Sequence, residues 1–146
     1  MRLENTIAIA APPELVWSVS QDIERWPEWT STVTAASRLD NGPFGLGSVA
    51  LLKQPTQPEA TWTVTEFVPG ERFSWETRRP GLHFVGSHHV IPEGGATRNE
   101  LRVDAHGVLT ILLWPVLWLG IRKAIADENR GLKARCEALA GSGSAQ

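Results

Sequence analysis

VLTILLWPVLWLGIRKAIADENRGLKARCEAL, residues 108 to 139, is the stretch from which the fold is read. Val108 to Ile121 is an almost unbroken apolar run. Beyond it, Ile121, Ile125, Glu128, Leu132, Cys136 and Leu139 recur at steps of three and four, the spacing of one helix face. No other part of the chain holds that period for long. A long C-terminal helix is therefore expected, with one carboxylate, Glu128, on its inner face. Pro115 lies inside the pattern, so the helix is expected to start near Leu113 to Pro115, or else Val108 to Trp114 is a separate kinked segment.

Immediately upstream the period changes to two. Leu101, Val103 and Ala105 alternate with Arg102, Asp104 and His106. Before them, His83 to Ile91 reads as a strand bounded by Pro80-Gly81 and the PEGGAT turn (Pro92 to Thr97). Phe73, Trp75 and Thr77 alternate with Arg72, Ser74, Glu76 and Arg78. Thr61 to Glu66 alternates too, and Phe67 falls out of phase, which predicts a bulge. Val49 to Lys53 and Thr32 to Leu39 are further strands, with NGPFGLG between them as a turn. At the start, Leu3, Ile7 and Ile9 alternate with Arg2, Glu4, Thr6 and Ala8, and Asn5 is the one polar residue on the apolar side. Pro12-Pro13 closes that strand and opens a short helix, Glu14 to Ser20. Asp22 can cap a second, Ile23 to Trp26, which Pro27 ends. The order is strand, two short helices, six strands, long helix: an α+β fold built on an antiparallel meander with one wet and one dry face, closing on the C-terminal helix.

With 146 residues the chain is expected to form one domain, residues 1–140, followed by a tail, residues 141–146, that is flexible by composition. One cysteine, Cys136, excludes an intrachain disulfide, and its place on the apolar stripe predicts an inert buried thiol. Net charge is -2 with both signs interspersed, so no nucleic-acid footprint is present. The first residues lack the pattern of a signal peptide, and a cytoplasmic location is expected. The apolar run is 14 residues, 108 to 121, and a spanning helix needs about 20. It is expected to be core or pocket wall, without a transmembrane span. The alternative is an exposed patch, with Leu112, Val116 and Leu119 opposite the Ile121/Ile125 stripe contacting a second copy or a membrane surface.

Several segments are similar to one known family. IAAPPELVWSVSQDIERWPEW (Ile9 to Trp29), with Pro12, Val16, Trp17, Asp22, Trp26 and Trp29, resembles the opening of the polyketide cyclase/dehydrase-like branch of the START-like (SRPBCC) helix-grip superfamily. Val64 to Thr77 resembles that family's central hairpin. Gly86 to Leu101 resembles its next hairpin, with His88, Pro92 and Thr97 in matching places, and Asp127 to Ala138 its closing helix, with Glu128, Gly131, Leu132 and Lys133. The resemblance implies a helix-grip fold: a seven-stranded antiparallel sheet wrapped around the C-terminal helix, with a hydrophobic cavity between them. Members include cyclases and binders of lipids and quinones, so fold alone does not choose a function.

The residues available to such a cavity are aromatic: seven Trp, four Phe and no Tyr, which removes one class of general acid. Trp29, Trp62, Phe73, Trp75, Phe84 and Trp118 are candidate walls, with Val90, Leu101, Val103, Ile121 and Ile125 between them. His88 shares the phase of Phe84, Gly86 and Val90 and is expected to face inward, His89 outward. His88 and Glu128 each have two readings: a hydrogen-bonded wall residue, or an acid–base group. Arg78 and Arg79 lie where a pocket mouth is expected. Gly131, beside the stripe, costs helix propensity and points to a close approach by a ligand or a strand. No histidine, cysteine or carboxylate spacing forms a metal site, and neither a dinucleotide fingerprint nor a phosphate loop is present, so no cofactor is expected. The expected function is binding of a small hydrophobic molecule (lipid-, polyketide- or quinone-like) between sheet and helix. The alternative is a cyclase/dehydratase-type enzyme in which His88 and Glu128 exchange protons with the substrate.

Overall fold

A computed structural model describes residues 1–55 and 57–144. Element order is β1 (Arg2–Ile9), α1 (Pro13–Gln21), a 3-10 helix (Ile23–Glu28), β2 (Ala35–Arg38), β3 (Val49–Lys53), β4 (Ala60–Val68), β5 (Arg72–Arg79), β6 (Leu82–Glu93), β7 (Ala96–His106) and α2 (Val108–Ser144). The seven strands form one antiparallel sheet in the order β1-β7-β6-β5-β4-β3-β2. From β2 to β7 each strand pairs with the next in sequence, and β1 pairs with β7; the connection from β1 to β2 crosses from one edge of the sheet to the other and contains the two short helices. Alternation decides the faces. On β5, Phe73, Trp75 and Thr77 are buried while Arg72 and Arg78 are exposed. On the dry face α2 packs on β1, β7 and β6, α1 packs on β6, β7 and α2, and the 3-10 helix packs on β2.

The core lies at the closed end. Val16, Trp17, Ile23, Trp26, Phe73, Val90, Leu132 and Cys136 are buried in one cluster. Burial also pushes the Cys136 thiol up to about 12, so it stays protonated. Helix and sheet are tied by a polar bridge inside the core. Asn99 Nδ2 donates to Asn129 Oδ1 (2.7 Å), and Asn129 Nδ2 donates to Asn5 Oδ1 (2.7 Å) and to the Asn5 carbonyl (3.1 Å). This accounts for Asn5 on the apolar side of β1: it meets Asn129, which is fully buried. Nearby, Lys133 Nζ donates to the Ala8 carbonyl and Glu137 accepts from Ala10 N–H, fixing the helix axis against the end of β1.

Helix α2 begins at Val108, not near Leu113 to Pro115, and Pro115 lies within it. Gly107 makes the turn: its φ of +108° is costly for other residues, and a Cβ there would strike the Gly81 carbonyl. Leu109 N–H then donates to Gly81 O, and the Thr110 hydroxyl to His106 O. Pro115 is tolerated because the carbonyl it leaves unpaired belongs to Ile111, on an exposed turn where water can reach it. The buried stripe of α2 runs through Ile125, Asn129, Leu132 and Cys136, whereas Leu139 is exposed. The helix continues through residues 141 to 144, where a tail was expected, and residues 145 and 146 lie outside the described residues.

The segment Ile23–Glu28 is a 3-10 helix that includes Pro27, and the Asp22 side chain makes no capping hydrogen bond. Strand β2 is shorter than Thr32 to Leu39: Thr32 N–H donates to the Thr30 hydroxyl, while the Thr34 and Leu39 N–H groups that flank the strand still donate to the Lys53 and Val49 carbonyls of β3. The bulge in β4 falls between Val64 and Glu66 rather than at Phe67.

Candidate functional site

Between the open end of the sheet and the middle of α2 lies a cavity of about 440 Å³, a size suited to a small organic ligand. Strands β4 to β7 supply its floor: Trp62, Trp75, Phe84, Gly86, Leu101 and Val103. Helix α2 supplies the roof with Leu117, Ile121, Ala124 and Ile125. Gly86 helps keep the space open, since a side chain there would press on Trp75 and approach Trp62. The mouth is rimmed by Gln54, Gln57 and Arg79 on one side and by Val116 and Gly120 on the other. Arg79 is held there by donating to the Pro58 and Glu59 carbonyls. Arg78 instead turns toward Glu76 and does not line the cavity.

The cavity wall also carries two acid–base groups side by side, His88, buried, and Glu128, half-buried with its Oε1 shielded from solvent. His88, 7% exposed, stacks on Phe73 with 4.5 Å between ring centroids and packs against Trp26. Its Nδ1 lies 3.8 Å from Oε1 of Glu128. That is too long for a hydrogen bond, and Glu128 Oε1 is buried without a hydrogen-bond partner. Burial sets the protonation of both. It drives His88 down to about 3 and Glu128 up to about 8, because each charged form would be taken out of water. Near neutral pH the geometry is therefore a neutral imidazole beside a protonated carboxyl rather than an ion pair. A transfer of the proton between them would leave the pair's net charge unchanged.

Of the residues expected at the cavity, nine line it: Trp62, Trp75, Phe84, His88, Leu101, Val103, Ile121, Ile125 and Glu128. Four do not. Phe73 and Val90 face the sheet's dry side but sit deeper, in the packed core. Trp29 packs on Trp26 and supplies the carbonyl that crowds Gly131. The close approach behind that glycine is thus by the backbone that follows the 3-10 helix, not by a ligand or a strand. Trp118 points off the cavity, with the Arg122 guanidinium 5.2 Å above its ring. Sequence reasoning missed Trp26, Leu52, Thr77, Leu82 and Leu117 in the lining. Thr77 and Leu117 could have been found, one by the phase of Trp75 and the other as the residue four before Ile121. Val116 was expected opposite the Ile121 stripe, yet it stands at the mouth. Among the described residues no cluster of three or more histidine, cysteine or carboxylate side chains could hold a metal.

The geometry of sheet, helix and cavity recurs in solved structures. The di-domain ARO/CYC StfQ from the steffimycin biosynthetic pathway superposes with a TM-score of 0.79 at 15% identity, over 96% of this chain and 51% of that one. The Zhui aromatase/cyclase from Streptomyces sp. R1128 gives 0.77 at 18% identity over 94% and 93%. A hypothetical protein from Helicobacter pylori gives 0.81 at 14% identity over 93% and 88%. At these identities the likeness is one of fold. A Streptomyces cyaneus protein that carries a polyketide cyclase name is 64% identical over 25 residues, which is 17% of this chain and only 16% of that protein. The family described as polyketide cyclase/dehydrase and lipid transport matches residues 1–137, nearly the whole chain, and the chain belongs to that family.

Proposed function

We propose that the domain binds a small, largely apolar and neutral molecule, polyketide-, lipid- or quinone-like, in the cavity between sheet and helix. One observation carries this reading: an aromatic and aliphatic cavity of about 440 Å³ whose wall includes two uncharged but polar groups, His88 and Glu128. Burying apolar ligand surface supplies affinity at roughly 25 cal/mol per Å². The polar groups supply orientation. A buried carboxyl oxygen without a partner is costly, and a ligand oxygen reaching Glu128 relieves that cost. Because the pair is kept neutral by burial, a carbonyl or hydroxyl suits it better than a carboxylate. Native mass spectrometry of freshly purified protein, followed by organic extraction, tests the reading. A retained molecule of this chemistry is expected. An extracted ligand that is a strong anion would refute it.

A second reading, an enzyme of the cyclase/dehydratase kind, is favoured by the approach of the same two groups to 3.8 Å. Glu128, protonated, donates to a ketone oxygen while neutral His88 accepts the proton of the adjacent carbon. The enol forms, the pair is left as carboxylate and imidazolium, and return of both protons resets it. Binding is placed first because burial makes His88 a weak base. Deuterium uptake from solvent into a bound diketone separates the two. Uptake lost in both His88→Gln and Glu128→Gln supports catalysis, and uptake no faster than in buffer excludes it for that diketone.

A further inference from the structure

Among the described residues the exposed large apolar side chains concentrate on the first turns of α2, Val108 to Leu119. Val108, Leu109, Ile111, Leu112, Leu113, Val116 and Leu119 are all exposed, Val116 to 73%. A window of mean hydropathy 1.7 within the helix is only 11% buried. At 3.6 residues per turn these side chains cover roughly 200° of the helix circumference. We propose that this segment is a membrane-docking surface, which rests at the headgroup–acyl boundary of an anionic bilayer with the cavity mouth turned toward the lipid.

Four observations select a bilayer over a second copy of the chain. A helix–helix seam is a narrow stripe, whereas this apolar arc exceeds half the circumference and suits a fluid apolar medium. The one hydroxyl in the run, Thr110, is buried and spent on the His106 carbonyl, so the exposed arc presents no side-chain polar group. From Gly107 to Ala126 no acidic residue occurs, and the only charges are Arg122 and Lys123. Arg122 lies over Trp118, an arrangement that puts an indole and a cation together at the end of the apolar run; Lys123 is 77% exposed, although paired with Asp127. Both are suited to the headgroup layer. Finally, Val116, Leu117, Gly120 and Ile121 belong both to this segment and to the cavity wall. An apolar molecule could thus pass from lipid to cavity without crossing water. The helix is held to the rest of the domain on either side of the run, by Leu109 N–H on the Gly81 carbonyl and by Leu132 and Cys136 in the core, so the docked run lies along the interface.

Docking itself is independent of the cavity reading; only the orientation of the mouth rests on it. The test is flotation of the full chain, with no ligand added, on phosphatidylcholine vesicles and on mixed phosphatidylcholine–phosphatidylglycerol vesicles. The wild type is expected to float with the mixed vesicles and more weakly with phosphatidylcholine alone. Leu112→Asp with Leu119→Asp, both at exposed positions, should cut partitioning by at least about tenfold at an unchanged thermal midpoint. Should that variant prove unstable, Arg122→Gln with Lys123→Gln decides, by losing the preference for the anionic vesicles. A cavity-blocked protein, Ala124→Trp, should still float, which separates a failure of docking from a failure of ligand binding. The proposal is overturned if the wild type ignores both vesicles, if the aspartate variant floats equally well, or if the wild type is a dimer that this variant makes monomeric.

Discussion

Because burial holds both His88 and Glu128 uncharged, the stability of the fold should have a distinctive dependence on pH. Glu128 is raised from 4.5 to about 8, so the folded state keeps a proton that the unfolded chain gives up above 4.5. This contribution is full below 4.5 and is lost as pH rises toward 8. His88 is lowered from 6.5 to about 3, so the unfolded chain binds a proton there that the folded state refuses. Its contribution is full above 6.5 and is lost as pH falls toward 3. Between 4.5 and 6.5 the two effects cancel, since folded and unfolded states hold the same number of protons on the pair. Stability from the pair is therefore flat in that window and declines on either side. From pH 6.5 to 8 the decline runs at about 1.4 kcal/mol per pH unit, or about 2 kcal/mol in all. The alkaline arm is the cleaner one. Below 4.5, Asp40, Glu76, Asp127 and Glu137, all with lowered values from hydrogen bonds or ion pairs, add losses of their own. Urea unfolding followed by tryptophan fluorescence across this range is the assay. Glu128→Gln should remove the decline between 6.5 and 8 and leave the acid arm. A wild type that is flat from 6.5 to 8, or a Glu128→Gln variant that keeps the decline, refutes the argument.

Three further outcomes follow from individual contacts. Gly131→Ala should lower the thermal midpoint although alanine favours helix by about 1 kcal/mol, because the added methyl meets the Trp29 carbonyl. Asn129→Ala should cost on the order of 3 kcal/mol in urea unfolding, since it strands both Asn99 and Asn5 in the core. Cys136 should resist alkylation by iodoacetamide in the native protein and react once urea unfolds it, because it is fully buried and its thiolate suppressed.

Much of the architecture was legible because alternation is a local signal. Strand β3 spans the expected Val49 to Lys53, and the shared phase of Phe84, Gly86 and His88 placed the histidine on the inner face. Glu128 was legible from the helix stripe. Their approach to 3.8 Å was not, because it depends on how α2 is rotated and tilted over β6, and Asn5 and Asn129 set that docking from far apart in sequence. Depth was equally hidden. Phe73 and Trp75 have the same phase on β5, yet one is packed under α1 and the other lines the cavity, according to which element happens to cover it. The apolar run at Val108 reads as core by composition. Whether anything covers it is a property of the whole fold, and along most of its length nothing does.

The central claim is that the cavity takes an apolar ligand, and the most direct measurement is the fluorescence titration of a planar apolar probe against wild type and Ala124→Trp. Ala124 lines the cavity roof, and an indole there would fill much of the space. The account predicts saturable binding of one probe per chain to the wild type and its loss in Ala124→Trp at an unchanged thermal midpoint. Equal binding to both proteins, or none to either, would contradict it.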